Sequence, residues 1–308
     1  MPLTSGNFAD LLKPGLKSFF DLGMSRPQPM IDMLFSVETS TRFEEQYQGM
    51  GAQGVVPVFD GTVKYADFDA GYRTDIRNYE LAQGIMVERR LVDDDQFNQI
   101  NRRASNMADA FQTTRETDAA NVFINAFTDS GTNRMGASTN GADGVGLCSA
   151  AHPHSPRNSN STQANEGTLA LTIDNLDTTR QAMRNFTDDK GQLLGINPDM
   201  LLVPPELERT ATQLVAERAI YAPGRAQFDV NMFSGRFRPV VWNRLTDSNA
   251  WFMIDSTLMK QHLIWQNRIM PEFAQADDFD GMIAKFRGYM RYGIGWTDWR
   301  WIYGQNPS

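Results

Sequence analysis

Residues 93–131, DDDQFNQINRRASNMADAFQTTRETDAANVFINAFTDSG, decide how the rest of the chain is read. Three acids, Asp93, Asp94 and Asp95, precede apolar residues at Phe97, Ile100, Ala104, Met107 and Phe111, and the pattern resumes at Ala119, Val122, Phe123, Ala126 and Phe127. Steps of three and four place these side chains on one face of a helix. The acids fall where a helix dipole favours negative charge, Asp93 with Gln96 makes an aspartate form of the capping box, and Gly131 follows as a stop. At a rise of about 1.5 Å per residue, some 34 residues would form a rod roughly 50 Å long. The heptad register fails at Thr114 and Asp118 after about two repeats, which argues against a coiled coil. The reading is a spine helix packed along one face on its own chain. Two shorter helices meeting near Thr113 and Thr114 would give the same pattern.

Outward from this stretch, 308 residues with 41% hydrophobic and 21% charged side chains describe a folded chain with a large core. Its apolar runs are too short to span a bilayer, so no membrane partner is expected, and the N-terminus lacks a signal-peptide pattern. A formal net charge of -8 argues against a general phosphate-gripping surface, while leaving one local face free to meet nucleic acid. The single Cys148 excludes an intrachain disulfide framework and suits a reducing compartment. Arg outnumbers Lys by 23 to 6, with 16 Met and 6 Trp; that balance favours extensive subunit contact.

Residues 1–44 hold an amphipathic segment, Phe8 to Phe20, interrupted by Pro14 and Gly15, then a Pro-rich connector. This arm either docks on a partner or packs on the chain's own body. From Glu44 to Leu91 the period is two. Val56 and Val58 face Val63 and Tyr65 across an Asp60-Gly61 turn, and a second extended run goes from Tyr72 to Val87. Such a ribbon cannot stand alone in water, so its tip needs another surface, most naturally a neighbouring copy. Asp129 to Gly167 is a Gly-, Ser- and Asn-rich loop around the island Leu147 to Pro153. An α/β section follows, with a helix capped by Thr172 or Asp174, a buried strand Met200 to Val203, and a helix from Glu206 to Arg218. The chain ends in two long extended runs, Leu263 to Phe273 and Met282 to Tyr303, carrying Trp296, Trp299 and Trp301.

The order of these pieces resembles the major capsid proteins of tailed bacteriophages, with the Hong Kong 97-type α+β fold, and within them the Mu-like major head subunits. The residues that carry the resemblance are Leu91-Val92-Asp93-Asp94-Asp95, Asp143-Gly144 with Leu147-Cys148-Ser149 and His152-Pro153, Leu202-Val203-Pro204-Pro205-Glu206-Leu207-Glu208, and Tyr292-Gly293-Ile294-Gly295-Trp296-Thr297-Asp298-Trp299-Arg300 with Tyr303-Gly304. The resemblance implies an N-terminal arm at 1–44, an extended β loop at 45–92 and a peripheral domain at 93–165 with the spine helix. It further implies an axial α/β domain at 166–257 and peripheral return strands at 258–308. It implies no catalysis and no cofactor: copies would assemble as hexamers and pentamers into an icosahedral head around double-stranded DNA, in the host bacterial cytoplasm, and end in the virion. Too few residues precede the flap to hold a fused scaffold domain, so the scaffold would be a separate protein; a decoration protein would be a further partner, and packaged DNA would meet the inner face. Some relatives join a flap Lys to an Asn covalently. Lys64 matches the first, but Asp277, Asp278 and Asp280 stand where an Asn is needed, so no crosslink is expected. The residues expected at the assembly interface are Asp60, Gly61, Lys64, Tyr65, Asp67, Phe68, Asp69, Gly71, Tyr72 and Arg73.

Two other function classes fit parts of the sequence. A soluble hydrolase would use the 129–167 loop, where Cys148, His152 and His154 cluster, but no orienting carboxylate or oxyanion element is identifiable beside them. A metal site there would lack the second ligand pair that zinc requires, so none is expected. A carbohydrate-binding module would use Trp296, Trp299 and Trp301 as a platform; a buried closing strand is the preferred reading of the same residues.

Overall fold

The computed structural model describes residues 8–26, 29–65, 69–88, 97–216, 219–220, 229–278 and 283–307. In chain order the first elements are helices α1 (Phe8–Met24) and α2 (Pro29–Leu34), strands β1 (Ser36–Thr39), β2 (Glu44–Met50), β3 (Ala70–Arg77) and β4 (Tyr79–Glu88), and helix α3 (Phe97–Ile124). Three two-residue strands, β5 (His152–Pro153), β6 (Thr162–Gln163) and β7 (Glu166–Gly167), lie in the loop that follows. Then come α4 (Ile173–Arg184), β8 (Met200–Val203), α5 (Glu208–Ala216), β9 (Ala219–Ile220), β10 (Asp229–Val230), β11 (Arg238–Val241), β12 (Trp251–Ile254), α6 (Ser256–His262), β13 (Leu263–Asp278), β14 (Ile283–Trp296) and β15 (Ile302–Gln305).

The spine helix is one unbroken element of 28 residues, about 42 Å long, running through Thr113 and Thr114. Its expected acidic cap lies outside the described residues. It ends at Ile124, not at Gly131. Ala126 N–H bonds back to the Phe123 carbonyl, a tighter turn than the α-helix allows, and the Ala126 carbonyl then accepts the Cys148 N–H. Ala126 is buried and Phe127 packs on the core, so the apolar period outlives the helix because the turn after it stays inside.

Two sheets share this helix. The order β1-β13-β14-β4 makes a long sheet; β11-β8-β12-β15-β7 makes a five-stranded one flanked by α4 and α5. Along the first half of α3, Phe111 meets Phe20 of α1 edge-on at 5.9 Å between ring centroids, and it closes over Gly288 of β14, where a Cβ would stand 2.7 Å from the ring. Toward its end, Phe123 is ringed by Trp242, Phe252 and Trp301 at 5.7–6.3 Å, all edge-on. The lapse of the heptad at Asp118 has a structural cause. Asp118 is buried and accepts two hydrogen bonds from Arg134, at 3.1 and 2.9 Å, and one from the Tyr292 hydroxyl at 2.5 Å. A buried carboxylate is tolerated because each of its oxygens has a charged or hydroxyl donor.

The N-terminal helix packs on the spine of its own chain and is continuous through Pro14 and Gly15, so the expected interruption is absent. Gln112 of the spine donates to the Gly23, Met24 and Arg26 carbonyls, which satisfies groups that the end of α1 leaves open. Thr172 is the cap of α4, its hydroxyl accepting the Asn175 N–H. The expected helix from Glu206 is a 3-10 turn, Pro205–Leu207, leading into α5.

The extended runs divide where the sequence suggested continuity. Tyr72 to Val87 breaks at Asn78: β3 pairs with β2 as the flap stem, whereas β4 joins the long sheet beside β14. Asn78 makes the corner; it is buried, and its amide donates to the Ser40 hydroxyl and the Arg42 carbonyl. The final run also divides, β14 lying in the long sheet and β15 pairing with β12 in the five-stranded one. Trp296, Trp299 and Trp301 line this crossing and are 5%, 3% and 0% exposed, which overturns their reading as a sugar platform. The Asn-rich loop is held by its own side chains. Asn165 takes the Ser149 N–H and donates to the Leu147 carbonyl, Asn133 takes the N–H groups of Met135 and Ala137, and Asp129 takes that of Gly146.

Candidate assembly interface

The flap rises from the Ser40–Asn78 corner as the antiparallel stem β2–β3, paired from Glu44↔Arg77 to Met50↔Ala70. Beyond the stem, residues 51–65 form no ladder, so Val56, Val58, Val63 and Tyr65 are not in the hairpin strands expected of them. The turn itself exists: Gly61 holds φ +102, the Thr62 N–H points to Asp60 at 3.4 Å, and Lys64 pairs with Asp60 at 3.0 Å. The Lys64 partner holds the Asp60 carboxyl below the usual carboxylate range. Among the described residues the tip has little to pack on. Val56 and Val58 are 88% exposed, Tyr65 is 92% exposed, and Val55, Phe59 and Val63 are exposed beside them. Contiguous exposed apolar side chains on a polar chain mark an interaction surface.

The expected interface residues do not form one patch. Asp60, Gly61, Lys64 and Tyr65 are at the tip; Asp67 and Phe68 lie outside the described residues. Gly71, Tyr72 and Arg73 belong to the stem, where Gly71 passes so close to Gly49 that a Cβ would sit 2.8 Å from its carbonyl carbon, and Arg73 pairs with Asp75 at 2.9 Å. Asp69 faces the body instead, between Lys190 and Arg157. Val55, Val56, Val58, Phe59 and Val63, exposed at the same tip, lie outside the expected set; their signal in the sequence is apolar residues in a ribbon with no second layer to bury them.

The Cys-His cluster departs from expectation in one respect: the structure gives His152 a carboxylate partner, Asp143, brought from nine positions away by the fold of the loop, while Cys148 and His152 themselves are buried. Cys148 is fully buried, and burial pushes its thiol well above the usual range. His152 is buried too, its Nδ1 2.7 Å from Asp143 and its ring stacked on Trp299 at 4.3 Å between centroids. No group of three or more His, Cys, Asp or Glu side chains is arranged to hold a metal among the described residues, and none of their helices is long and apolar enough to cross a membrane.

A family model described as phage capsid protein matches residues 72–304. The chain is 39% identical to the major capsid protein of Escherichia phage Mu over 71 residues, which is 23% of this chain and 23% of that protein. It is similar in structure to the capsid of an empty GTA particle (TM-score 0.58, 14% identity, 92% of this chain and 91% of that one). It is similar also to the bacteriophage JBD30 capsid (TM-score 0.57, 15% identity, 75% and 95%) and to the capsid of cyanophage P-SCSP1u (TM-score 0.55, 13% identity, 90% and 88%). The α+β architecture is thus the Hong Kong 97-type fold that the sequence resembled. A match extending from the flap stem to the closing strand, on a fold common to these shells, means that the chain belongs to the phage capsid protein family.

Proposed function

We propose that this chain is the major head subunit of a tailed phage, assembling as hexamers and pentamers into an icosahedral shell around double-stranded DNA. The observation that carries the reading is the flap: a stem tied to the body and a tip whose apolar side chains are left exposed by the described residues of their own chain. A neighbouring copy supplies that partner, and the interface includes Asp60, Gly61, Lys64, Tyr65, Asp67, Phe68, Asp69, Gly71, Tyr72 and Arg73. In this reading 1–44 is the arm, 45–92 the extended loop, 93–165 and 258–308 the peripheral domain, and 166–257 the axial domain. A separate scaffold protein, a decoration protein and DNA at the inner face are its further partners. Assembly takes place in the host cytoplasm, and the mature location is the virion. The role is structural, and the burial of Cys148 and His152 supports that over hydrolysis.

The test is to express the chain and measure its size by light scattering and negative-stain imaging. Capsomers or closed shells are expected, from the chain alone or with a co-expressed scaffold protein. A chain that stays monomeric with every scaffold candidate supplied would overturn the proposal.

A further inference from the structure

The base of the flap is fastened to the rest of the chain by contacts that the shell role does not by itself require. Asp69, just before β3, places one carboxylate oxygen 3.0 Å from Lys190 Nζ and the other against the Arg157 guanidinium. Lys190 sits in the turn after α4, bridged by Thr187↔Leu193, and Arg157 in the Asn-rich loop, so one side chain joins three distant segments. From the opposite stem of the flap, the Ala52 N–H donates to Asp189 at 2.8 Å, and the Gly51 N–H donates to the Asp69 carbonyl at 2.8 Å. A Cβ on Gly51 would stand 2.6 Å from the Asp189 carboxylate, which would have to move aside. Beneath these contacts lies a crevice of about 280 Å³ lined by Met50, Tyr72, Leu194, Trp296, Trp299 and Arg300.

We propose that Asp69, Asp189, Lys190 and Arg157 form an intrachain latch that holds the flap closed over the Trp296–Trp299 crevice in the free subunit and opens when the flap moves to a partner copy. The second half rests on the shell role; the first stands without it. The latch is built from the ion pairs of Asp69 with Lys190 and Arg157, which reach solvent, and from the Ala52 N–H bond to the Asp189 carboxylate; the Gly51–Asp69 bond lies within the flap and extends its stem. Exposed pairs contribute little each and weaken as salt rises. A fastening of that kind holds a flap in place and yields to a competing apolar surface. The Lys190 ammonium and the Arg157 guanidinium keep the Asp69 carboxyl below its ordinary range, so the latch is charged at neutral pH.

The test is hydrogen exchange of residues 49–54 in the full chain, kept below its assembly threshold so that a failure to assemble does not enter the readout. In Asp69→Asn, exchange at Ala52, whose N–H is held by Asp189, is expected to rise about fivefold. Ionic strength of about 1 M, where screening falls to about 3 Å, should do the same to the wild type and little to the variant. Gly51→Ala should open the latch by crowding Asp189, without altering a charge. Asp75→Asn, whose partner Arg73 lies in the same strand, should change nothing. An unprotected Ala52 amide in the wild type, or equal protection of it in Asp69→Asn, would overturn the latch whether or not the chain forms shells.

Discussion

Replacing Val58 and Phe59 together with Ser separates assembly from folding. Both side chains stand outside any strand at the flap tip, 88% and 70% exposed, so removing them takes no packing from the free subunit. Its stability should change by no more than about 0.5 kcal/mol, as for other surface substitutions. If the tip is buried on a neighbouring copy, each side chain contributes at least about 1.5 kcal/mol to that contact. The pair then weakens it by about 3 kcal/mol, roughly a hundredfold in the association constant of one contact. Urea unfolding of the free subunit gives the first quantity and the light-scattering threshold for assembly the second. The reasoning fails if the threshold is unmoved, because the tip is then not in the contact. It fails equally if the unfolding midpoint drops with the threshold, because the tip then belongs to the fold of its own chain.

Three further outcomes follow from the interior. Asp118→Ala leaves the buried Tyr292 hydroxyl without its acceptor, while the half-exposed Arg134 turns to solvent, and should cost about 2 kcal/mol in urea unfolding, whereas Tyr292→Phe should cost about 1 kcal/mol. Burial pushes the Tyr47 phenol up to about 12 from 10. Its contribution is therefore complete below pH 10 and lost as pH rises through 12; Tyr47→Phe should flatten this alkaline fall in stability, which a urea series across that window would measure. Cys148 should resist alkylation in the folded chain and react only as the chain unfolds, so that labelling and the loss of tryptophan signal share one denaturant midpoint.

The long elements were legible because their periodicity is the direct trace of burial. Phe111 and Phe123 lie on the face that the spacing assigned to the core, and the Trp-rich closing segment is buried as its aromatic content suggested. The boundaries were less so. Asn78 divides one extended run between two sheets, and it does so through hydrogen bonds to Ser40 and Arg42, residues more than thirty positions away that no local window contains. Asp118 broke the heptad in the sequence; its partners Arg134 and Tyr292 come from a loop and a strand that only the fold brings together. Within the candidate interface, Gly61 and Asp60 form the tight turn that their dipeptide announced. The apolar residues around them were read as paired strands because alternation reports two faces, not whether a second surface exists to cover one of them. Asp69 shows the same limit: its charge was visible, and its partners Lys190 and Arg157 were not, being 121 and 88 positions distant.

Where the flap tip lies in an assembled particle is the most direct test of the account, and Lys64 at that tip provides the handle. Particles grown from equal amounts of light- and heavy-isotope subunits would be treated with an amine-reactive crosslinker and the Lys64 peptides identified by mass spectrometry. Contact between copies predicts Lys64 links that are mixed in isotope as often as unmixed. Links that are always of one isotope would place the tip on its own chain and contradict the account.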